Sequence, residues 1–196
     1  MSTEQLALPA GGRPREQHVL NLGTLLLGAG GAMVFAGLVA AYLQLRGMAA
    51  EWPPKDVELD NYIGVTLFLT ALLSAVTVEW APYALKRGNQ RQTLWALAMS
   101  LGLGIAFLNM LWYLATQLGF GVGDHAYGTV VYAAILATGV QVVIGLGYLL
   151  VALVRTAGHQ AVPGDHQLVR AAGWYWQWVN VCWLFVFMAL YVLQHR

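Results

Sequence analysis

Charge is what this sequence has least of. Only 10% of its 196 residues are Asp, Glu, Lys or Arg, and 59% are hydrophobic. An ordinary soluble domain carries about 25% charged residues. A surface so poor in charge does not hold a protein in water, so the expected solvent is lipid. The formal net charge of +1 argues against a nucleic-acid partner, which would call for a basic face. A single cysteine, Cys182, excludes an internal disulfide and any multi-cysteine metal site.

The few charges are also confined in place. The intervals Gln17–Leu45, Gln92–Gly123, His125–Val154 and Ala171–His195 hold no Asp, Glu, Lys or Arg, and Asn61–Val78 holds none before Glu79. A hydrocarbon core of about 30 Å takes about 20 apolar helical residues, and each interval supplies them. The sequence therefore predicts an all-α, polytopic bundle of five transmembrane helices, near Leu20–Leu45, Tyr62–Leu85, Thr93–Leu118, Tyr127–Val154 and Gly173–Leu193. Met1–Glu16 is polar, with Gly and Pro, and is expected to be a disordered cytoplasmic tail. Residues 17–196 then form one transmembrane domain. No cleavable signal peptide is apparent, so the first span is expected to serve as the insertion signal. The loops near Arg46–Asn61 and Arg155–Ala172 are too short for a soluble domain.

A cytoplasmic N-terminus puts Arg13, Arg15, Lys86, Arg87, Arg91, Arg155 and Arg170 inside, and Arg46, Lys55 and Arg196 outside. The positive-inside rule favours that arrangement, with the C-terminus outside. Glu51, Asp56, Glu58 and Asp60 make the first outer loop acidic. Its simplest reading is a solvated loop.

Histidine is missing from every span interior. His18, His125, His159, His166 and His195 all fall at or beyond span ends. Haem or copper held within a bundle needs ligands projecting inward from facing helices, so no cofactor or metal is expected on this chain. Proline is nearly missing as well, with Pro82 alone inside a span and close to its end. Transport paths more often show broken helices and ionisable groups.

The polar residues that do lie in spans are few. Glu79 is the one charged side chain well inside a span, and an intramembrane carboxylate is a functional candidate. Tyr83 at i+4 is in reach of a hydrogen bond, and Lys86 lies two turns further on. Glu79, Tyr83 and Lys86 are thus candidates for a lipid-related or proton-related role, the structural or headgroup-facing one being favoured. Asn109, Thr138, Gln141, Gln177 and Asn180 form a candidate buried polar network between helices. Gln177 and Asn180, at i and i+3, share a face. In the first span Gly28, Ala32, Ala36 and Ala40 recur every four residues and are candidates for helix packing. Ala133, Ala137, Gln141 and Gly145, and Ala96, Ser100 and Gly104, repeat the idea in the fourth and third. Trp174, Tyr175, Trp176 and Trp178, with Trp112 and Tyr113, read as interfacial aromatic belts.

The order of these features carries a resemblance. Trp52-Pro53-Pro54 follows the first span. Thr77-Val78-Glu79-Trp80-Ala81 and Ala84-Leu85 lead into Lys86-Arg87-Gly88. Ala126-Tyr127-Gly128-Thr129 opens the fourth span, and Trp174-Tyr175-Trp176-Gln177-Trp178-Val179-Asn180-Val181-Cys182-Trp183 opens the fifth. From about Leu20 onward this resembles subunit III of the haem–copper (cytochrome c) oxidases, as a divergent member in the short five-helix bacterial form. The resemblance implies a two-helix arm and a three-helix arm divided by a lipid-filled cleft. It implies a non-catalytic component of a respiratory terminal oxidase that braces subunit I, with phospholipid bound and with haem and copper in partner subunits I and II. It also implies departures. The family's first-span glutamate, ahead of Phe35-Ala36-Gly37, falls on Gly31, and its third-span glutamate on Trp112. Two fourth-span histidines fall on Thr138 and Gln141, and the fifth-span His and Asp on Gln177 and Asn180. The polar cluster keeps some of its hydrogen-bonding capacity through these exchanges and loses its proton exchange. Alternatives are an accessory protein of a nitric oxide reductase, which shares the fold, and a small membrane transporter or an assembly factor. The family places such a chain in the bacterial cell membrane.

Overall fold

A computed structural model describes residues 14–54, 57, 60–158 and 167–192. It contains five long helices: α1 (Pro14–Met48), α2 (Asn61–Lys86), α3 (Gln90–Gln117), α4 (Ala126–Ala157) and α5 (Gln167–Phe187), the last extended by a π-helical turn, Met188–Val192. All five are long and apolar enough to cross a membrane, and no strand occurs among the described residues. The chain is a multi-pass membrane protein with the expected five-span architecture. Residues 1–13, most of the expected tail, lie outside the described residues, whereas Pro14, Arg15 and Glu16 are helical. Proline suits the first turn of a helix, where its missing N–H would have no intrahelical partner.

Local chemistry explains where the helices stop and start. α2 ends in a Schellman turn, with Gly88 N–H donating to the Leu85 carbonyl at 2.9 Å and Asn89 N–H to the Ala84 carbonyl at 3.1 Å. Gly88 takes the positive φ of 70° that this turn requires. Asn89 at once caps α3, its Oδ1 accepting from Gln92 N–H at 3.1 Å. Asp60 caps α2 in the same manner through Tyr62 N–H at 2.8 Å. His125 caps α4, its Nδ1 accepting from Gly128 N–H at 2.7 Å. α5 opens at Gln167, ahead of the expected Gly173, because Val169, Ala171 and Ala172 are buried while Arg170 turns outward.

The three-residue link Arg87–Asn89 makes α2 and α3 an antiparallel hairpin with the most extensive contact in the bundle. α3 packs on α4, and α5 lies against α2 and α4. α1 lies against α5 and α4, and it does not pair extensively with α2. The five-helix fold is therefore as expected, but the first two helices do not form an arm of their own. The physical reason is the contrast in tethers. A three-residue turn holds α2 to α3, whereas the longer segment after Met48 leaves α1 free to seat elsewhere.

Candidate functional site

The bundle is locked at Trp176 of α5, whose side chain is 2% exposed. Its indole Nε1 donates to Ser74 Oγ of α2 at 3.1 Å. Its ring fills the space left by two glycines. A Cβ on Gly104 of α3 would lie 2.5 Å from the ring, and one on Gly145 of α4 would lie 2.8 Å from it. One side chain thus joins four helices. The small residues Ala96, Ser100 and Gly104 are buried, and Ser100 Oγ donates to Thr77 Oγ1 of α2 at 3.0 Å. Tyr175 is buried too, so two of the four aromatic residues that open α5 in the expected belt are core. Trp174 alone of this group is well exposed, with the Arg170 guanidinium 5.4 Å from its ring centroid.

The five polar candidates lie in three places. Gln177 and Asn180 face α2. Gln177 Nε2 donates to the Ala75 carbonyl at 3.0 Å and to Glu79 Oε1 at 3.3 Å. Asn180 Oδ1 accepts a long bond of 3.5 Å from Ser74 Oγ. Thr138 and Gln141 are buried on α4, Thr138 donating to the Ala134 carbonyl at 2.8 Å. Asn109 is exposed on α3 and joins none of them. It lines a groove between α3 and α4 with Trp112, Tyr132 and Leu136.

Glu79 lies at the surface of the bundle, at the α2–α5 seam. Tyr83 is not its partner. That ring lies beneath the Arg87 guanidinium, 4.4 Å from its centroid, and Lys86 is exposed at the helix end. In α1 the contact face runs through Thr24, Gly28, Gly31, Phe35, Leu38 and Tyr42. Gly28 faces Trp178, and Ala32 is half-buried, but Ala36 and Ala40 are exposed. A four-residue spacing advances about 40° per step at 3.6 residues per turn. Such a stripe drifts off the contact by Ala36.

A second groove, of about 540 Å³, runs between α1 and α5. Asn21, Gln167 and Arg170 line it, along with Leu25, Ala29 and Trp178. Trp178 Nε1 and Gln141 Oε1 are buried without a partner among the described residues. No three His, Cys, Asp or Glu side chains gather to hold a metal among the described residues. His159, His166 and His195 lie outside them.

The family model described as cytochrome c oxidase subunit III matches residues 13–195. This chain belongs to the cytochrome c oxidase subunit III family. Cytochrome c oxidase subunit 3 of Gallus gallus is 32% identical over 185 residues, covering 91% of this chain and 71% of that protein. Its counterpart in Pelomedusa subrufa is 33% identical with the same coverage. The Drosophila yakuba protein is 36% identical over 146 residues, 74% of this chain and 56% of its own.

Family membership gives the α1–α4 contact a sharper meaning. Gly31 and Gln141 stand where the resemblance implies an acid and a histidine, and here they touch. The Gln141 amide lies where a Cβ on residue 31 would be. The glycine and the glutamine are therefore one fitted pair, the amide occupying volume that the glycine leaves. The sequence alone does not show that these two positions meet.

Proposed function

We propose that this chain is a non-catalytic subunit III of a respiratory cytochrome c oxidase-type complex, bracing subunit I in a bacterial cell membrane with its N-terminus cytoplasmic. The observation that carries the reading is the family match across nearly the whole chain. The four-helix junction at Trp176 supports it, because it makes α2 to α5 one stiff unit suited to bracing a neighbour. The relatives reported above all bear the oxidase name, which favours the oxidase over a nitric oxide reductase, a transporter or an assembly factor. Haem and copper, in this reading, belong to subunits I and II. The chain's contribution to oxygen reduction and electron transport is mechanical.

Phospholipid is the second part of the proposal. The α1–α5 groove ends at Arg170, Gln167 and Asn21 and continues between apolar walls. A lipid phosphate suits Arg170, and the apolar walls at Leu25 and Ala29 suit its acyl chains.

Gentle solubilisation and capture of this chain, followed by a haem spectrum, tests the reading. Haem a with copper is the expected result. Haem b with non-haem iron would move the chain to a nitric oxide reductase. No haem protein under any detergent would overturn both assignments.

A further inference from the structure

Glu79 is poorly explained by the bundle itself. Seven residues separate it from Lys86 at the helix end, or about 10 Å along the axis at 1.5 Å per residue. The 26 residues of α2 span about 39 Å against a hydrocarbon core of about 30 Å, so a centred helix places Glu79 inside the hydrocarbon. The side chain nevertheless lies on the outer surface of the bundle, flanked by exposed Val76 and Trp80 of α2. Exposed Leu184 and Val181 continue the same surface along α5. Acidic groups within membranes are costly and normally face a bundle interior or a partner. This one faces neither within its own chain.

Its own neighbours supply little. Gln177 Nε2 is the one donor to the carboxyl among the described residues, at 3.3 Å, and the same nitrogen also bonds the Ala75 carbonyl at 3.0 Å. Arg87 is stacked on Tyr83, and Lys86 is two turns away. Gln177 therefore pins the carboxyl in place at the α2–α5 seam without saturating it. Acceptor capacity is left pointing out of the molecule, surrounded by apolar side chains.

We propose that Glu79 and Gln177 form a docking point for a transmembrane helix of another oxidase subunit, one that presents a hydrogen-bond donor side chain at this depth. The inference rests on the reading of the chain as a complex subunit and adds the face it uses. Charge complementarity selects the occupant. A lipid acyl chain offers no donor here, and a second copy of this surface would oppose one carboxyl to another.

Two measurements test it in intact membranes. A photoreactive amino acid replaces Val76 in one chain and Val140, on exposed α4 away from this seam, in another. Crosslinks to an oxidase subunit are expected from position 76. In parallel, Glu79→Gln should retain the partner within about twofold. Glu79→Leu should weaken its retention in detergent about tenfold, the effect of losing one strong interhelical bond. The amount of each variant in the membrane, read by blot, separates failure to fold from failure to dock. Crosslinks from position 140 alone, adducts only with lipid or with a second copy, or full retention by Glu79→Leu, would overturn the docking face and leave the complex assignment standing. No oxidase subunit captured by the unsubstituted chain would overturn both.

Discussion

Gly31 and Gln141 show how a substitution at one position depends on another. The amide of Gln141 fills the volume beside Gly31, so an added methyl must push it aside. Gly31→Ala is expected to destabilise the solubilised protein by about 1–3 kcal/mol, the usual cost of overpacking. Adding Gln141→Ala in the same chain should recover most of that loss. A double-mutant cycle on thermal unfolding in detergent checks the coupling, and independent, additive effects would contradict the contact. At this scale the sequence revealed residue types better than partners. The i, i+3 spacing placed Gln177 and Asn180 on one face, and both do turn toward α2. Their partners, Ser74 and Ala75, are far away in the chain, and no local rule points to them. Asn109 has the same chemistry but lies on the opposite flank, because a polar residue alone does not say which face of its helix is covered.

The helices themselves were legible because hydrocarbon thickness and backbone satisfaction leave few other solutions. Their faces were less so. The four-residue stripe of α1 drifts around the helix, so Gly28 meets Trp178 while Ala36 and Ala40 turn away. The aromatic run opening α5 read as an interfacial belt, yet Trp176 became the central side chain of the bundle. Its role depends on glycines of α3 and α4. His125 is a further example. As a histidine it invites thoughts of a ligand, but its Nδ1 closes the first turn of α4. His125→Ala should cost about 1 kcal/mol, and His125→Asn, which keeps a side-chain acceptor, should cost less. Amide hydrogen exchange at Gly128 measures the difference, with the alanine variant the less protected.

At the scale of the molecule, helices pack in an order that differs from the order in sequence. α5, the last span, touches α1, α2 and α4 and reaches α3 through Trp176. The α1–α5 groove is one product of this arrangement. If Arg170 anchors a phospholipid there, Arg170→Ala should reduce the anionic lipid retained by the purified protein several-fold, and Arg170→Lys should keep most of it. Native mass spectrometry of the detergent-released protein counts the bound lipids, and equal retention by all three would remove the groove from the lipid proposal. The two-helix arm implied by the family resemblance failed at this same scale. No residue in α1 or α2 marks the other as its partner, and the length of the segment after Met48 lets α1 seat on α4 and α5 instead.

The seating of α1 on α4 and α5 also sets a timetable. A ribosome releases α1 first, yet both helices that receive it emerge last. The α2–α3 hairpin can close as soon as its short turn leaves the translocon. α1 must meanwhile wait in the bilayer on its tether, its Gly28 and Gly31 surface uncovered, until Trp178 and Gln141 arrive. Of these five helices the earliest made is thus the last to be fully seated, and a nascent chain halted before α5 would leave α1 without one of its two seats.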